Sequence, residues 1–504
     1  MLPDDEVESI YLLYDERMLL HRPIGWVEPE VYPKCSDDTD EDYVMENPQR
    51  LVVIYKRLMQ LENRLLVHHQ GPIFRPLKCQ MATRKQILMA HSESYYNRME
   101  GLQYCSALEL LDLASQDNYY CSDTFTVARL AAGGLISCVD AVCDKTDAKN
   151  SNRALALVRP PGHHACQSQE MGFCFIDSVV VAAKYALRSQ RAKRIVILDW
   201  DIHDGNGTSE ATKDDDNIFR IDLHRYNPTE GFYPFTGGPN EVGFGSARGL
   251  NLNVGWTNGG VRNQEYAAAF CELVLPLLVD YNPDLLIISC GLDAAKGDLL
   301  GGCELTAPFF YAMTKSTLQA VGPDAHVVCA LEGGYAMHVL PDCMEAVTLA
   351  LLNYPYEYYS SVCGPATGTR AIAAATTPKE PTLDRLSQAR MVLSKWYRRD
   401  IACTCKLQYC SVLDINMSIR IFKSLERWSN VPLQYITVPP KSKWTMPPRI
   451  TIIATTKNKK RKHLKKHNES RYNWTTTATE SPLQRQRVYL WYGTEHHHQH
   501  SVWR

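Results

Sequence analysis

The chain contains no run of about 18 or more apolar residues, the length a membrane-spanning helix needs. Its nearest approach, "LVLPLLVDYNPDLLIISCGL", is interrupted by Asp280, Asn282 and Asp284, which predicts no membrane span. The acidic start "MLPDDEVESIYLLYDERM" lacks the apolar core of a signal peptide, so no secretory leader is expected. The 17 scattered cysteines then read as reduced thiols of a cytosolic or nuclear protein, and not as a disulfide framework. No internal repeat is visible, which argues against solenoids and propellers. The glycine-rich "DGNGT" is not followed by Lys-Ser/Thr, which argues against a phosphate loop.

Charge of one sign is scarce at each end of the chain in turn. The net charge of the 504 residues is −2, but residues 401–504 carry 18 Lys and Arg against 5 Asp and Glu. An acidic body is therefore followed by a basic tail. Within that tail "KNKKRKHLKKH" (457–467) is a basic cluster, and "TTTATESP" and "EHHHQH" are low in complexity. The cluster reads as a solvated tail, a nuclear signal or a nucleic-acid contact. "CTCKLQYC" with His463 and His467 matches zinc-finger spacing only loosely.

The middle of the chain alternates two patterns. Short β-branched runs are "ALALVRP", "RIVILDW", "IFRIDLH", "LNLNVGW", "DLLIISCG" and "HVVCALEGG". Helix-like stretches such as "SVVVAAKYALRSQ" and "NQEYAAAFCELVLPLLVDY" lie between them. Continuous apolar strands alternating with helices predict a parallel sheet covered on both faces. Residues 1 to about 130 read as mainly helical, and "PTLDRLSQARMVLSKWYRRD" (381–400) as a closing amphipathic helix after a linker. In such folds ligands bind beyond the carboxyl ends of the strands.

Polar chemistry gathers at those ends. The first run leads into "PGHH", the second into "DIHDGNGT", the third into "RYNPTEGFYP", the fifth into "LDAAKGDLLGG" and the sixth into "LEGGY". A lone Asp-x-His is ordinarily a solvated loop. Matching pieces at five strand ends make a site the better reading. Asp201, His203 and Asp293 form a two-carboxylate, one-imidazole set suited to a hydrolytic Zn²⁺ with an open position. Two carboxylates weaken the metal's Lewis acidity, so nearby acid/base groups are needed. The paired His163 and His164 and the tyrosine Tyr335 are of the right type.

The order PGHH, GFCF, DWDxH, LHRY, GFYP, GLDAAxGD and LEGGY resembles the class II zinc-dependent histone deacetylases. The likeness runs from "YLLYDERM" to "KWYRRD". It implies one three-layer α/β domain with a central parallel sheet, arginase- and deacetylase-like, over residues 1–400; the composition beyond it predicts a basic, disordered tail over 401–504. The likeness implies Asp201, His203 and Asp293 as zinc ligands, His164 as general base, and His163 as its electrostatic partner and an acid. Asp199 would stand behind His163 and contact a structural K⁺, and Asn206 behind His164. Tyr335 would stabilise the oxyanion; one branch carries His there, so a tyrosine implies an active enzyme. Gly172, Phe173 and Tyr233 would line an acyl-lysine channel, with Asp117 at its rim and Leu300 at the gate position.

The chain departs from the family pattern at Asp204, where a second histidine is usual, and at Asp222, in place of a potassium-binding serine. Leu299 replaces a proline, Asn118 a rim serine, and "MENPQR" lacks an expected histidine. The expected substrates are acetylated histone tails or other acetyl-lysine proteins, in the nucleus with exchange to the cytoplasm, within a corepressor complex. Deacetylation of tubulin or an acetyl-polyamine, and a catalytically weak scaffold, are the alternatives. Leu300, not an acidic residue, argues against the polyamine.

Overall fold

The computed structural model describes residues 9–354, apart from 35–42, 67–70, 116, 145 and 147–149. The expected linker, the closing helix 381–400, the boundary at 400 and the tail lie outside the described residues. Eight strands form one sheet: β1 (Ile10–Leu13), β2 (Phe74–Leu77), β3 (Arg153–Ala156), β4 (Ile195–Asp199), β5 (Ile218–Arg225), β6 (Asn251–Trp256), β7 (Leu285–Cys290) and β8 (His326–Leu331). Their order is β2-β1-β3-β8-β7-β4-β5-β6, and every neighbouring pair is parallel.

The six expected runs are β3 to β8. Residues of β4, β6 and β7 are buried throughout, as strands covered on both faces must be. One helical group packs Thr124–Cys143 against Ser178–Arg188 and against β1, β3 and β8. Another joins Gln49–Leu66, Leu340–Leu351, Ala307–Val321 and Leu275–Tyr281. The architecture is the expected layered α/β domain around a parallel sheet.

The amino-terminal region differs from the helical expectation, because it also supplies β1 and β2. These strands are only four residues each, too short for a clear pattern, and β2 contains Pro76. Proline is tolerated there because β2 is an edge strand. The helix Thr124–Cys143 is long and apolar enough to cross a membrane, a feature absent from the sequence reading, and 72% of its apolar window is buried inside the protein.

Candidate metal centre and active site

The strands β3, β8, β7 and β4 are consecutive in the sheet. Being parallel, they bring four carboxyl ends side by side. PGHH follows β3, LEGGY completes β8, Asp293 follows β7, and Asp199 ends β4 with Asp201 and His203 just beyond. This topology assembles residues that are 130 or more positions apart, such as Asp201 and Gly333, joined by an N–H···Oδ2 bond of 2.9 Å.

Asp201, His203 and Asp293 are buried, and one donor atom from each lies within 4.8 Å of the other two. His203 Nδ1 is 3.2 Å from Asp201 Oδ1 and 2.9 Å from Asp293 Oδ2. The remaining oxygens are oriented by backbone: Ile202 N–H donates to Asp293 Oδ1 at 2.8 Å and Gly333 N–H to Asp201 Oδ2. Burial, and next the charge of Asp201, push the Asp293 carboxyl up to about 7. A crowded, buried set of this kind favours a divalent cation as counter-charge, and its N and O donors fit Zn²⁺.

The two adjacent histidines have different partners. Their ring centroids are 4.0 Å apart. His163 Nδ1 is 3.0 Å from Asp199 Oδ2, and its Nε2 is 3.8 Å from Asp201 Oδ1. Burial opposes the imidazolium, but Asp201 and Asp199 outweigh it and hold the His163 pKa well above the usual value. His164 Nδ1 instead meets the amide oxygen of Asn206 at 2.7 Å. The Asn206 amide nitrogen faces Cys166 Sγ at 3.2 Å and Met171 Sδ at 3.3 Å, so its oxygen is left for the ring. An amide oxygen accepts only, so Nδ1 carries the proton and Nε2 the lone pair. Burial, then the charges of His163 and His203, hold the His164 pKa well below the usual value.

Tyr335 is buried at the same centre. A Cβ added at Gly333 would lie 2.5 Å from Asp201 Oδ2, 2.8 Å from Asp293 Oδ2 and 3.0 Å from the Tyr335 hydroxyl. Those three atoms surround one point, and only glycine leaves room for it. The Phe173 ring stands edge-on to Tyr335 at 5.5 Å, and Tyr233 edge-on to His164 at 5.3 Å. Gly172, at φ +55°, runs between them; a Cβ there would be 2.4 Å from His164 Cδ2. The Tyr233 hydroxyl donates to Asp117 Oδ2 at 2.9 Å, which sets Asp117 at the outer end of these aromatics. Leu300 lies half-buried on the loop after β7, its N–H donating to Asp298 Oδ1 at 2.8 Å.

Several supporting residues escaped the sequence reading. Asp298 accepts from Leu300 N–H and Gly301 N–H through one oxygen and from Tyr335 N–H through the other, at 2.8, 3.1 and 2.7 Å. Arg50 donates to the carbonyls of Glu332 and Gly334 and stands 5.0 Å from the Tyr335 ring centroid. Glu46 pairs with both Arg50 and Arg159 at 2.8–3.0 Å, so the altered "MENPQR" still forms a buried ionic brace. Asp222, expected near potassium, is engaged by Arg220, His224 and the Gly205 N–H, an arrangement that does not suit a potassium ligand.

Residues 44–351, more than half of the chain, match the histone deacetylase domain family. Histone deacetylase HDA1 of Candida albicans is 36% identical over 357 residues, covering 69% of this chain and 41% of that protein. The human polyamine deacetylase HDAC10 is 33% identical over 384 residues, covering 75% of this chain and 53% of that protein. The chain thus spans about half or less of the length of these relatives. The crystal structure of the HDA15 HD domain superimposes with a TM-score of 0.63 at 28% identity, over 83% of this chain and 99% of that one. Sequence match, sheet order and strand-end geometry agree, and the chain belongs to the class II histone deacetylase family.

Proposed function

We propose that this chain hydrolyses N6-acetyl-lysine of histones, as a zinc-dependent deacetylase in chromatin regulation. The observation that carries the reading is the convergence of Asp201, His203 and Asp293 with the His164–Asn206 pair and Tyr335. The first three would hold the zinc. Bound there, it supplies Lewis acidity for the amide carbonyl and makes a nearby water more acidic. His164 Nε2, its lone pair kept free by Asn206, takes the proton of the attacking water. The Tyr335 hydroxyl donates to the carbonyl oxygen as negative charge develops on it. His163, held cationic between Asp199 and Asp201, gives a proton to the departing lysine amine. Water's oxygen stays with acetate, and lysine leaves as the amine. Gly172, Phe173 and Tyr233 exclude water around the apolar lysine stem, and Asp117 orients the peptide backbone at the rim.

Nuclear action with exchange to the cytoplasm, a corepressor complex, and a nucleic-acid contact by residues 457–467 belong to the same reading. The test is zinc analysis of the purified full chain with acetate release from an acetylated histone peptide, an acetylated tubulin peptide and an acetyl-polyamine. One zinc per chain and preferred turnover of the histone peptide are expected. Bound zinc with no turnover of any of the three would make the chain a scaffold.

A further inference from the structure

Beyond the proposed zinc ligands lies a second charged cluster, built on β5, β6 and the loop after β4. Arg220 is fully buried. One of its terminal nitrogens donates to Asp204 Oδ1 at 2.5 Å and also to Asp222 Oδ2. The other donates to Asn251 Oδ1 at 3.0 Å and Asn253 Oδ1 at 2.7 Å. Both asparagine nitrogens are spent on the Glu241 carbonyl, so their oxygens must face the guanidinium. Asp222 has no free side left. Its other oxygen meets His224 Nδ1 at 2.5 Å, and Gly205 N–H adds to Oδ2 at 3.1 Å. His224 Nε2 faces the Gly237 carbonyl at 2.9 Å, so both ring nitrogens donate.

This cluster abuts the active site. Asp222 is the register partner of Asp199 across the β4–β5 pair. A Cβ at Gly205 would lie 2.8 Å from Asp199 Oδ2, 3.3 Å from His163 Nδ1 and 3.4 Å from Asp222 Oδ2. Two carboxylates facing each other on neighbouring strands repel and need a cation between or beside them. A bound monovalent ion is one source, and it is the source that the family likeness implies. Here the chain brings its own: Asp204 and Asp222, the two positions where the chain departs from the family pattern to a carboxylate, are the two that Arg220 bridges.

We propose that Arg220 is the resident cation on this side of the active site, in place of a structural potassium, and that it holds the Asp199–His163 pair in position. Arg220 is a positioning residue: it acts through Asp222 and touches no reacting atom. The full zinc-loaded chain should then be indifferent to potassium. A cation that binds only the folded state raises the unfolding midpoint with its concentration. The midpoint and kcat are therefore followed from potassium-free buffer to cellular potassium, with choline chloride keeping the ionic strength constant. Both are expected to stay flat.

Arg220→Gln should lower kcat by about 10–100-fold with KM nearly unchanged, the usual size of an effect relayed by a supporting residue. Arg220→Lys, which keeps the charge, should recover much of the loss. The midpoint measurement stands whether or not the chain deacetylates lysine; only the kcat measurement rests on that reading. A saturable rise of midpoint or kcat with potassium in the parent chain would overturn the proposal, and it decides the matter even if Arg220→Gln fails to fold. Parental kcat and midpoint in Arg220→Gln would overturn it as well.

Discussion

Two clusters of the same composition stand back to back in this protein. Asp201, His203 and Asp293 form one; Asp204, Asp222 and His224 form the other. Each is buried, and each brings three donor atoms within 4.8 Å of one another. His203 and Asp204 are neighbours in sequence, yet they face opposite clusters. The difference lies in where the positive charge comes from. Among the described ion pairs, only histidines face Asp201 and Asp293. Arg220 reaches between Asp204 and Asp222. A two-carboxylate, one-histidine set is therefore not a metal site by its donors alone. The Asp201, His203 and Asp293 set stays the proposed zinc site because, among the described ion pairs, no arginine or lysine reaches into it.

The contrast breaks most sharply under substitution of the carboxylates. Asp293→Ala should lose zinc and about 10³-fold or more in kcat/KM, the loss of roughly 4 kcal/mol of charge stabilisation. Asp222→Ala should keep one zinc per chain. Metal analysis of both variants checks this, and equal zinc loss would erase the distinction between the clusters. His164→Ala should retain zinc and lose about 10²–10⁴-fold in kcat, read by steady-state kinetics. Tyr335→Phe should lose about 10²–10³-fold, because a hydroxyl aimed at a developing oxyanion acts in the transition state. Its peptide affinity should remain parental; a loss confined to KM would move the hydroxyl's role to ground-state binding.

The proposed zinc side of this comparison was legible in the sequence because short motifs follow strands, and parallel strands collect their carboxyl ends. PGHH, DIH, LDAA and LEGGY needed only that rule to converge. Asp204 and Asp222 were legible as oddities but not as a pair, since Arg220 joins the loop after β4 to β5 only through side chains. Arg50 was hidden for a similar reason. Its carbonyl partners, Glu332 and Gly334, lie more than 280 residues away. Asp298 sits inside a recognised motif, yet its three backbone donors come from two loops that meet only in the fold. The strands β1 and β2 were missed because four residues are too few to show a period, and because the edge position of β2 relaxes the rule against proline.

The smallest expected effect separates the clusters by pH rather than by turnover. His224 is buried, which disfavours its charge, but Asp222 and Asp204 overcome this and raise its pKa from 6.5 to about 9. A raised folded pKa stabilises the folded state fully below the unfolded value near 6.5, and that stabilisation is lost as pH rises through about 9. The amount is at most about 3 kcal/mol. On the acid side, burial works against the Asp204 carboxylate, but Arg220 and His224 lower its pKa from 3.8 to about 2, so its contribution is present above 3.8 and fades as pH falls toward 2. The thermal midpoint should therefore decline by a few degrees between about pH 6.5 and 9. His224→Gln cannot hold a proton there, so its midpoint should start lower and stay flatter over the same range. Zinc content should be the same for both proteins across that window, because His224 belongs to the arginine-filled cluster. A parent midpoint as flat as the variant's would put no proton on His224, and Arg220 would then be the cluster's one positive charge against two carboxylates. A parent decline that tracked zinc loss would tie the two clusters into a single electrostatic unit.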